Sequence, residues 1–417
     1  MTRFKILSVL LTIQSQYSMK NTNRRVITQR STNRLFFLIL SCSGGAGLIR
    51  AAEALHSNAP LTGLPIRTEH YDVLNFTSKL FKRLYSESYL QMVNRAPELW
   101  GYLYQQSERK PYERKGLIKR FDQLNYKRYL RTLREFRTDT IICTHFLPYI
   151  SVSSELRKNN IRAPVFATTT DFDIHQLWID SIVERYFVFH KESAWQLQSK
   201  HVPANKIKVT GIPVMPEFQF KEKSKTVRNK LGFNINHFTL LVLSGGFGIG
   251  RVKEIVEQVA STLNTFQKRK FNLLIVCGKN NSARAELQAM CFPKNIDPYI
   301  FGFVTNVHEL MDASDVLISK AGGLTSSEAM AKSLPMLIID PIPGQESRNT
   351  DLIVEHGAGW KAINLANLSY KIQNILESPS LLIKAQTATR HLAKPNAATT
   401  ILTDVYDFLC HQKEQGK

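Results

Sequence analysis

Leu35–Ser41 reads LFFLILS, passes through Cys42 and Ser43 into Gly44-Gly45-Ala46-Gly47, and opens a helical pattern from Arg50. A short unbroken apolar run fits a strand covered on both faces, and the glycines supply the turn into a helix. Strand, glycine turn and helix in that order begin an α/β domain. Working outward, Thr140–Thr144, Val165–Thr169, Arg185–Phe189 and Ile207–Thr210 repeat the buried-strand signal, with a helical pattern over Asp122–Phe136. After Lys221–Lys230, a short, highly charged stretch poor in apolar residues that reads as a solvated linker, the same grammar restarts. Phe238–Leu243 (FTLLVL) enters Ser244-Gly245-Gly246-Phe247-Gly248-Ile249-Gly250, and a helix is expected over Val252–Leu263. Asn272–Cys277, Ile300–Phe301, Val316–Ser319 and Met336–Ile339 continue as strands. Two such starts imply an α/β protein of two Rossmann-like domains with parallel sheets facing a cleft.

A chain of 417 residues is long enough for two cores. The hydrophobic content of 43% excludes wholesale disorder. Lys and Arg number 55 against 34 Asp and Glu, a net charge of +21 that points to a polyanionic partner, nucleic acid or anionic bilayer. No helix-turn-helix, RNP-like or zinc-finger pattern accompanies the charge, so no nucleic acid is expected. The five cysteines (Cys42, Cys143, Cys277, Cys291, Cys410) form neither a disulfide framework nor a zinc spacing, and a reducing compartment suits them. Residues 1–34 carry seven Lys/Arg and no acid, and read as a basic, disordered tail. No apolar run reaches the roughly 18 residues of a spanning helix. Residues 67–137 mix 16 Lys/Arg and 8 Asp/Glu with aromatics such as Tyr71, Phe76, Phe81, Tyr85, Trp100 and Tyr102. That mixture suits either a core or a surface that meets anionic headgroups.

The densest chemistry lies in Ser319-Lys320-Ala321-Gly322-Gly323-Leu324-Thr325-Ser326-Ser327-Glu328. Gly322 and Gly323 turn the chain after the strand VLIS, and Thr325 and Ser326 are placed to cap the following helix, whose amide end attracts anions. Glu328 is expected in that helix's first turn, either accepting from ribose hydroxyls or simply complementing the dipole. The earlier turn with Gly245, Gly246 and Gly248 either cradles phosphate or packs a helix on a strand. Downstream, Asp340–Asn349 (DPIPGQESRN) follows a strand's carboxyl end, where open α/β sheets place ligands. Its Gln345, Glu346 and Asn349 suit sugar hydroxyls, or a solvated loop.

The segment GGLTSSEAMAKSLPMLIIDPIPGQESRNTDLIVEHGA, residues 322–358, resembles the donor site of the monogalactosyldiacylglycerol synthases and processive diacylglycerol glucosyltransferases of glycosyltransferase family 28. The resemblance continues through TDFDIH (170–175), RYF (185–187), TGIPVMPEF (210–218) and GFVTNVHELM (302–311). It implies a GT-B fold, a UDP-sugar donor (UDP-glucose or UDP-galactose) and inverting transfer to diacylglycerol or a related lipid. It further implies no metal and no separate cofactor. By that similarity Gly245, Gly246 and Gly248 lie near the diphosphate, Phe303 and Val304 border the uracil, Gly322, Gly323 and Thr325 meet the phosphates, Glu328 the ribose, and Gln345 and Glu346 the hexose. The expected organisation is an acceptor- and membrane-binding domain over 35–214, a UDP-sugar domain over 225–385, and a helical segment over 386–417 returning to the first domain. The expected place is the cytoplasmic face of the membrane, as a peripheral protein.

One position departs from the family. Its first glycine loop follows a pattern like SAGAGHxRAAEAL, and Leu48 stands in place of the histidine that would deprotonate the acceptor. Leucine transfers no proton. His145, Asp171, Asp173 and His175, at expected strand ends of the first domain, are the substitutes. A homologue that binds UDP-sugar or lipid without turnover, or one with another lipid-linked acceptor, stays open.

Overall fold

Residues 34–78, 81–83, 98, 101–102, 117–158, 161–244 and 251–415 are described in a computed structural model. The first lobe is a six-stranded parallel sheet of β1 (Leu35–Ser41), β2 (Ile66–Asp72), β3 (Thr140–Cys143), β4 (Val165–Thr168), β5 (Val183–Val188) and β6 (Ile207–Val209), in the order β2-β1-β3-β4-β5-β6. The second has β7 (Phe238–Leu243), β8 (Phe271–Val276), β9 (Ile296–Phe301), β10 (Val316–Ser319), β11 (Met336–Ile339) and β12 (Gly359–Ala362), in the order β12-β11-β10-β7-β8-β9. The helices that bear on the site are α1 (Ala46–Asn58), α2 (Leu117–Phe136), α3 (Gly323–Ala331), α4 (Gln345–Glu355) and α5 (Ala397–Glu414).

All seven residues of β1 are buried, and they alternate between two cores. Leu35, Phe37 and Ile39 meet Ala52 and Leu55 of α1 and Ile401, Leu402 and Val405 of α5. Phe36, Leu38 and Leu40 face the opposite core, with Tyr129 and Leu133 of α2. A strand covered on both faces has no polar side to show, which is why its sequence is an unbroken apolar run. β7 divides in the same way, Leu240 and Val242 against one core and Leu241 and Leu243 against the other.

α5, near the C-terminus, packs on the first sheet. Its Asp404 side chain, 6% exposed, is ion-paired with both Arg185 of β5 and Lys208 of β6. The charged stretch read as a linker contains a helix, Ser224–Lys230, docked through buried Val227 and Arg228. Arg228 donates from Nε to the Ala313 carbonyl at 2.7 Å, and its Nη2 lies 2.7 Å from Asp315 Oδ2. Among the described residues no helix is long and apolar enough to cross a membrane. Part of the aromatic set of residues 67–137 is core: Tyr71 and Phe76 pack with Phe136 and Tyr129 at centroid distances of 4.9 to 5.8 Å. Tyr102 is exposed, whereas Tyr85 and Trp100 lie outside the described residues.

Each sheet reverses its strand order once, between β1 and β3 and between β10 and β7. Open α/β sheets form a crevice at the carboxyl ends of such strands. The loop after β1 holds the first glycine turn, and the loop after β10 holds Gly322 and Gly323. The two crevices face one another.

Candidate functional site

The turn after β10 is tighter than its residue types suggest. Ser319 Oγ donates to the Leu243 carbonyl at 3.0 Å, tying the end of β10 to the end of β7. Gly322, at φ −63° and ψ 134°, is the N-cap, and α3 begins at Gly323. Thr325 and Ser326 therefore lie inside the helix and do not cap it, and Glu328 sits in its second turn. The glycines let the helix start earlier than the hydroxyl residues would set it. The first intrahelical bond to the cap runs from Ser326 N to the Gly322 carbonyl at 2.9 Å, so the amides before it have no acceptor within the helix. They carry the positive end of the helix dipole.

The opposite lobe comes directly onto that helix end. A Cβ on Gly323 would lie 2.0 Å from the Thr170 carbonyl oxygen and 3.2 Å from Asp171 Cα. A Cβ on Gly47, in α1, would lie 3.5 Å from Leu324 Cβ. Two glycine-led helix ends thus meet across the crevice. A single apolar core joins the lobes, with Phe172, Phe189, Ile212, Val214 and Phe218 packed among Ala321, Leu324, Leu352 and Ile353.

Three carboxyl groups lie around this contact, each held above the ordinary carboxylate range. Burial pushes Glu328 up to about 8, opposed by Arg50 of α1 and reinforced by Glu217. Burial raises Glu346 to about 7; the Ile342 N–H, donating to Oε2 at 2.7 Å, and Lys320 oppose, while Asp171 adds to the rise. A Cβ on Gly322 would lie 3.6 Å from Glu346 Oε1, which places that carboxyl beside the helix cap. Burial likewise raises Asp171 to about 6, opposed by a hydrogen bond from Asn349 and reinforced by Asp173. Carboxyls shifted toward neutrality and gathered in a cleft make this contact the candidate functional site.

The other expected residues separate into two groups. Asn349 is fully buried. Its Oδ1 accepts from Phe172 N at 2.9 Å, and its Nδ2 donates to the Ala321 carbonyl at 2.9 Å and to Asp171 Oδ1 at 3.2 Å. Asp173 is ion-paired with Arg348, the residue before it on α4. Gln345 opens α4, and Gln345 and Thr325 are half-buried. Phe303 stands 63% exposed, while Val304 packs on the second-lobe core. His145 and His175 are both buried. Each accepts at Nδ1 from the backbone N–H two residues on, Leu147 and Leu177, at 3.1 Å. His145 also packs against Phe146 and Trp178, and burial pushes its pKa down to about 3. Leu48 is half-buried, its carbonyl accepting from Thr144 Oγ1 at 2.8 Å. Gly245, Gly246 and Gly248 lie outside the described residues.

Reasoning from sequence passed over Arg50, Lys320, Arg348 and Thr170. Lys320 lies in SKAGG (319–323) and Arg348 in GQESRN (344–349), and their charge beside Gly322 and Glu346 is the available signal. No sequence signal marks the Thr170 carbonyl.

Residues 49–214 match the family model of monogalactosyldiacylglycerol (MGDG) synthase, and residues 239–401 match that of the glycosyltransferase family 28 C-terminal domain. The chain is 29% identical over 376 residues to a processive diacylglycerol beta-glucosyltransferase of Bacillus cereus strain AH187, covering 88% of this chain and 92% of the relative. Among solved structures it is similar to Acinetobacter baumannii MurG, with a TM-score of 0.61 at 13% identity over 90% of this chain and 99% of the other. It is also similar to S. aureus MnaA in complex with UDP, with a TM-score of 0.59 at 12% identity over 90% and 97% of the two chains. At those identities the likeness is one of fold, and that fold is GT-B.

Proposed function

The chain belongs to glycosyltransferase family 28, on the monogalactosyldiacylglycerol synthase branch, and we propose that it moves a hexose from a UDP-sugar to diacylglycerol with inversion at the anomeric carbon. The observation that carries this reading is the meeting of Asp171, on the first lobe, with the amide end of α3, on the second.

In the proposed complex the diphosphate lies against the amides of Gly323, Leu324 and Thr325, with Lys320 beside them. These fixed dipoles receive the charge that develops on UDP as it departs. Glu328 accepts from the ribose hydroxyls, and Glu346 and Gln345 hold hexose hydroxyls. Phe303 and Val304 border the uracil.

Asp171 takes the acceptor proton. A carboxyl raised to about 6 is half-neutral near the lower end of the physiological range and still ionised at pH 7. A base whose pKa approaches the working pH combines availability with a strong pull on the proton. The deprotonated hydroxyl oxygen then forms the new bond to the anomeric carbon as the bond to the UDP oxygen breaks on the opposite face. His145 and His175 are unsuited to this role, because each spends Nδ1 on a turn within the first lobe.

The acceptor is drawn from a bilayer. The support is the charge of +21 and the aromatic–basic stretch of residues 67–137, which suit contact with an anionic cytoplasmic leaflet, each well-placed cation contributing roughly 1 kcal/mol. Sedimentation with phosphatidylglycerol vesicles but not with phosphatidylcholine vesicles supports this placement; equal binding to both, or to neither, contradicts it.

Leu48 favours a second reading, a homologue that binds the donor without turnover. Diacylglycerol in mixed micelles, offered UDP-glucose and UDP-galactose separately, decides between them. Hexosyl transfer that is lost on Glu328→Ala supports the enzyme. Intact UDP binding without transfer supports the second reading.

A further inference from the structure

Asn349 was expected among the sugar ligands, and its surroundings assign it other work. It is fully buried on α4 of the donor lobe, and its amide is committed at both ends. Nδ2 is held by the Ala321 carbonyl at 2.9 Å, within the turn that leads into α3. Oδ1 holds Phe172 N at 2.9 Å, at the heart of the first-lobe loop that carries Asp171. With its two outer contacts fixed, the remaining Nδ2 proton points at Asp171 Oδ1, 3.2 Å away. Phe172 is itself pinned by stacking on Phe189, with centroids 3.8 Å apart, and by Ser193, whose Oγ donates to the Phe172 carbonyl at 2.5 Å. The loop can therefore hardly shift without breaking the Asn349 bonds.

We infer that Asn349 is a positioning residue for the reaction, delivered by the donor lobe to orient the Asp171 carboxylate, so that the base is complete only when the lobes are closed. This rests on the reading of Asp171 as the base. An amide that donates to one carboxylate oxygen directs the other, free oxygen toward the acceptor and favours the ionised form. Because the same amide holds the turn before the phosphate-binding helix end, base orientation and the donor turn are coupled through one side chain. An open enzyme then lacks an oriented base, which protects the donor from attack by water.

The groups facing Asp171 are Asn349, Asp173, Glu346 and, through Asp173, Arg348; Lys320 faces Glu346. All but Asn349 are left in place by substitution at 349. The test measures kcat, donor KM and the pH profile of kcat for wild type, Asn349→Leu, Asn349→Asp and Asp171→Asn, with UDP-glucose and UDP-galactose each offered to diacylglycerol in mixed micelles. Asn349→Leu is expected to lower kcat at least about tenfold, part of the 10²–10⁴-fold a positioned base supplies. Donor KM is expected to stay within about twofold, since the amides of α3 remain. Loss of a hydrogen bond to the ionised carboxylate raises the base, so the acid limb of kcat moves to higher pH, by up to about one unit. Asn349→Asp keeps the acceptor for Phe172 N and replaces the donor with a carboxylate. It shifts the limb in the same direction, and serves where the leucine variant does not fold.

A donor KM raised with kcat and the acid limb unmoved would make Asn349 a sugar ligand and overturn the inference. So would a drop in melting temperature without a shift of the limb in either variant that folds. Asp171→Asn separates the two claims. If that variant turns over like wild type, the base assignment has failed. If it is inactive while the limb stays fixed in the Asn349 variants, only the positioning role has failed.

Discussion

The carbonyl oxygen of Thr170 lies 2.0 Å from the place a Cβ would occupy on Gly323, although one residue belongs to the first lobe and the other to the second. No side chain fits there without moving the backbone of one lobe or the other. Gly323 has an ordinary helical start, so the requirement is for close approach rather than for a special φ. Gly323→Ala is expected to hold the lobes apart. Steady-state assay should give kcat reduced 10²-fold or more, because about an ångström of misplacement at a reacting centre costs on that order. UDP binding by calorimetry should change less than tenfold. Wild-type kcat in this variant would mean that the contact between Thr170 and Gly323 is not part of the working state.

As the proposed base, Asp171 is expected to set the acid side of the pH profile. With its carboxyl raised to about 6, kcat is expected to fall as pH drops through about 6, when the base becomes protonated. Asp171→Asn keeps the shape and removes the base, and should cost 10²–10⁴-fold in kcat. An acid limb unchanged in residual activity of Asp171→Asn would assign the titration to another group.

As the proposed ribose ligand, Glu328 is expected to couple donor binding to protons. Burial holds it near 8, so at pH 7.5 most of the population is neutral before the ligand arrives. A carboxyl accepting from both ribose hydroxyls is held in its ionised form, which Arg50 also favours. UDP binding should therefore release a proton, measured as a dependence of the calorimetric enthalpy on buffer ionisation, and affinity should rise with pH up to about 8. Glu328→Gln should abolish the release and weaken binding about 10- to 100-fold, the loss of one or two hydrogen bonds to a charged group. Proton uptake on binding would contradict the assignment.

Asp404 fastens α5 to the first sheet through Arg185 and Lys208. Removing it leaves Arg185 beside buried apolar surface without its anion, though Lys208, 47% exposed, is partly served by water. Asp404→Ala should lower stability by about 1–3 kcal/mol, below the 3–5 of a fully buried pair. Chemical denaturation checks this, with an unchanged midpoint as the contrary result.

The fold was legible where strands are covered on both faces. LFFLILS and FTLLVL have no polar side, and the buried interiors of β3, β4, β10 and β11 read the same way. β2 (IRTEHYD) and β12 (GWKA) escaped because they are edge strands. β2 leaves six of its seven residues outside the fully buried class, and β12 is only four residues long, so neither gives an apolar run. The helix after Gly322 was legible, but its start was not, because glycines that merely permit a turn compete with hydroxyls that favour a cap. The Lys221–Lys230 stretch looked solvated because its helix buries only two residues, Val227 and Arg228, and one of these is itself a charge. The hydrogen bonds of Asn349 were illegible for a different reason. Its partner Phe172 lies 177 residues away, and no local pattern reveals that an amide in a ligand-like loop is consumed by the opposite lobe. The turns that His145 and His175 cap were illegible in the same way, since a ring placed at a strand end can cap its own turn as readily as face a cleft.

Mass spectrometry of lipids recovered after incubation with diacylglycerol and each UDP-hexose reads out the proposed transfer itself. Wild type is expected to yield hexosyldiacylglycerol with at least one donor, and Asp171→Asn to yield little or none while still binding UDP. A folded, UDP-binding wild type that leaves diacylglycerol unmodified with both donors would contradict the account.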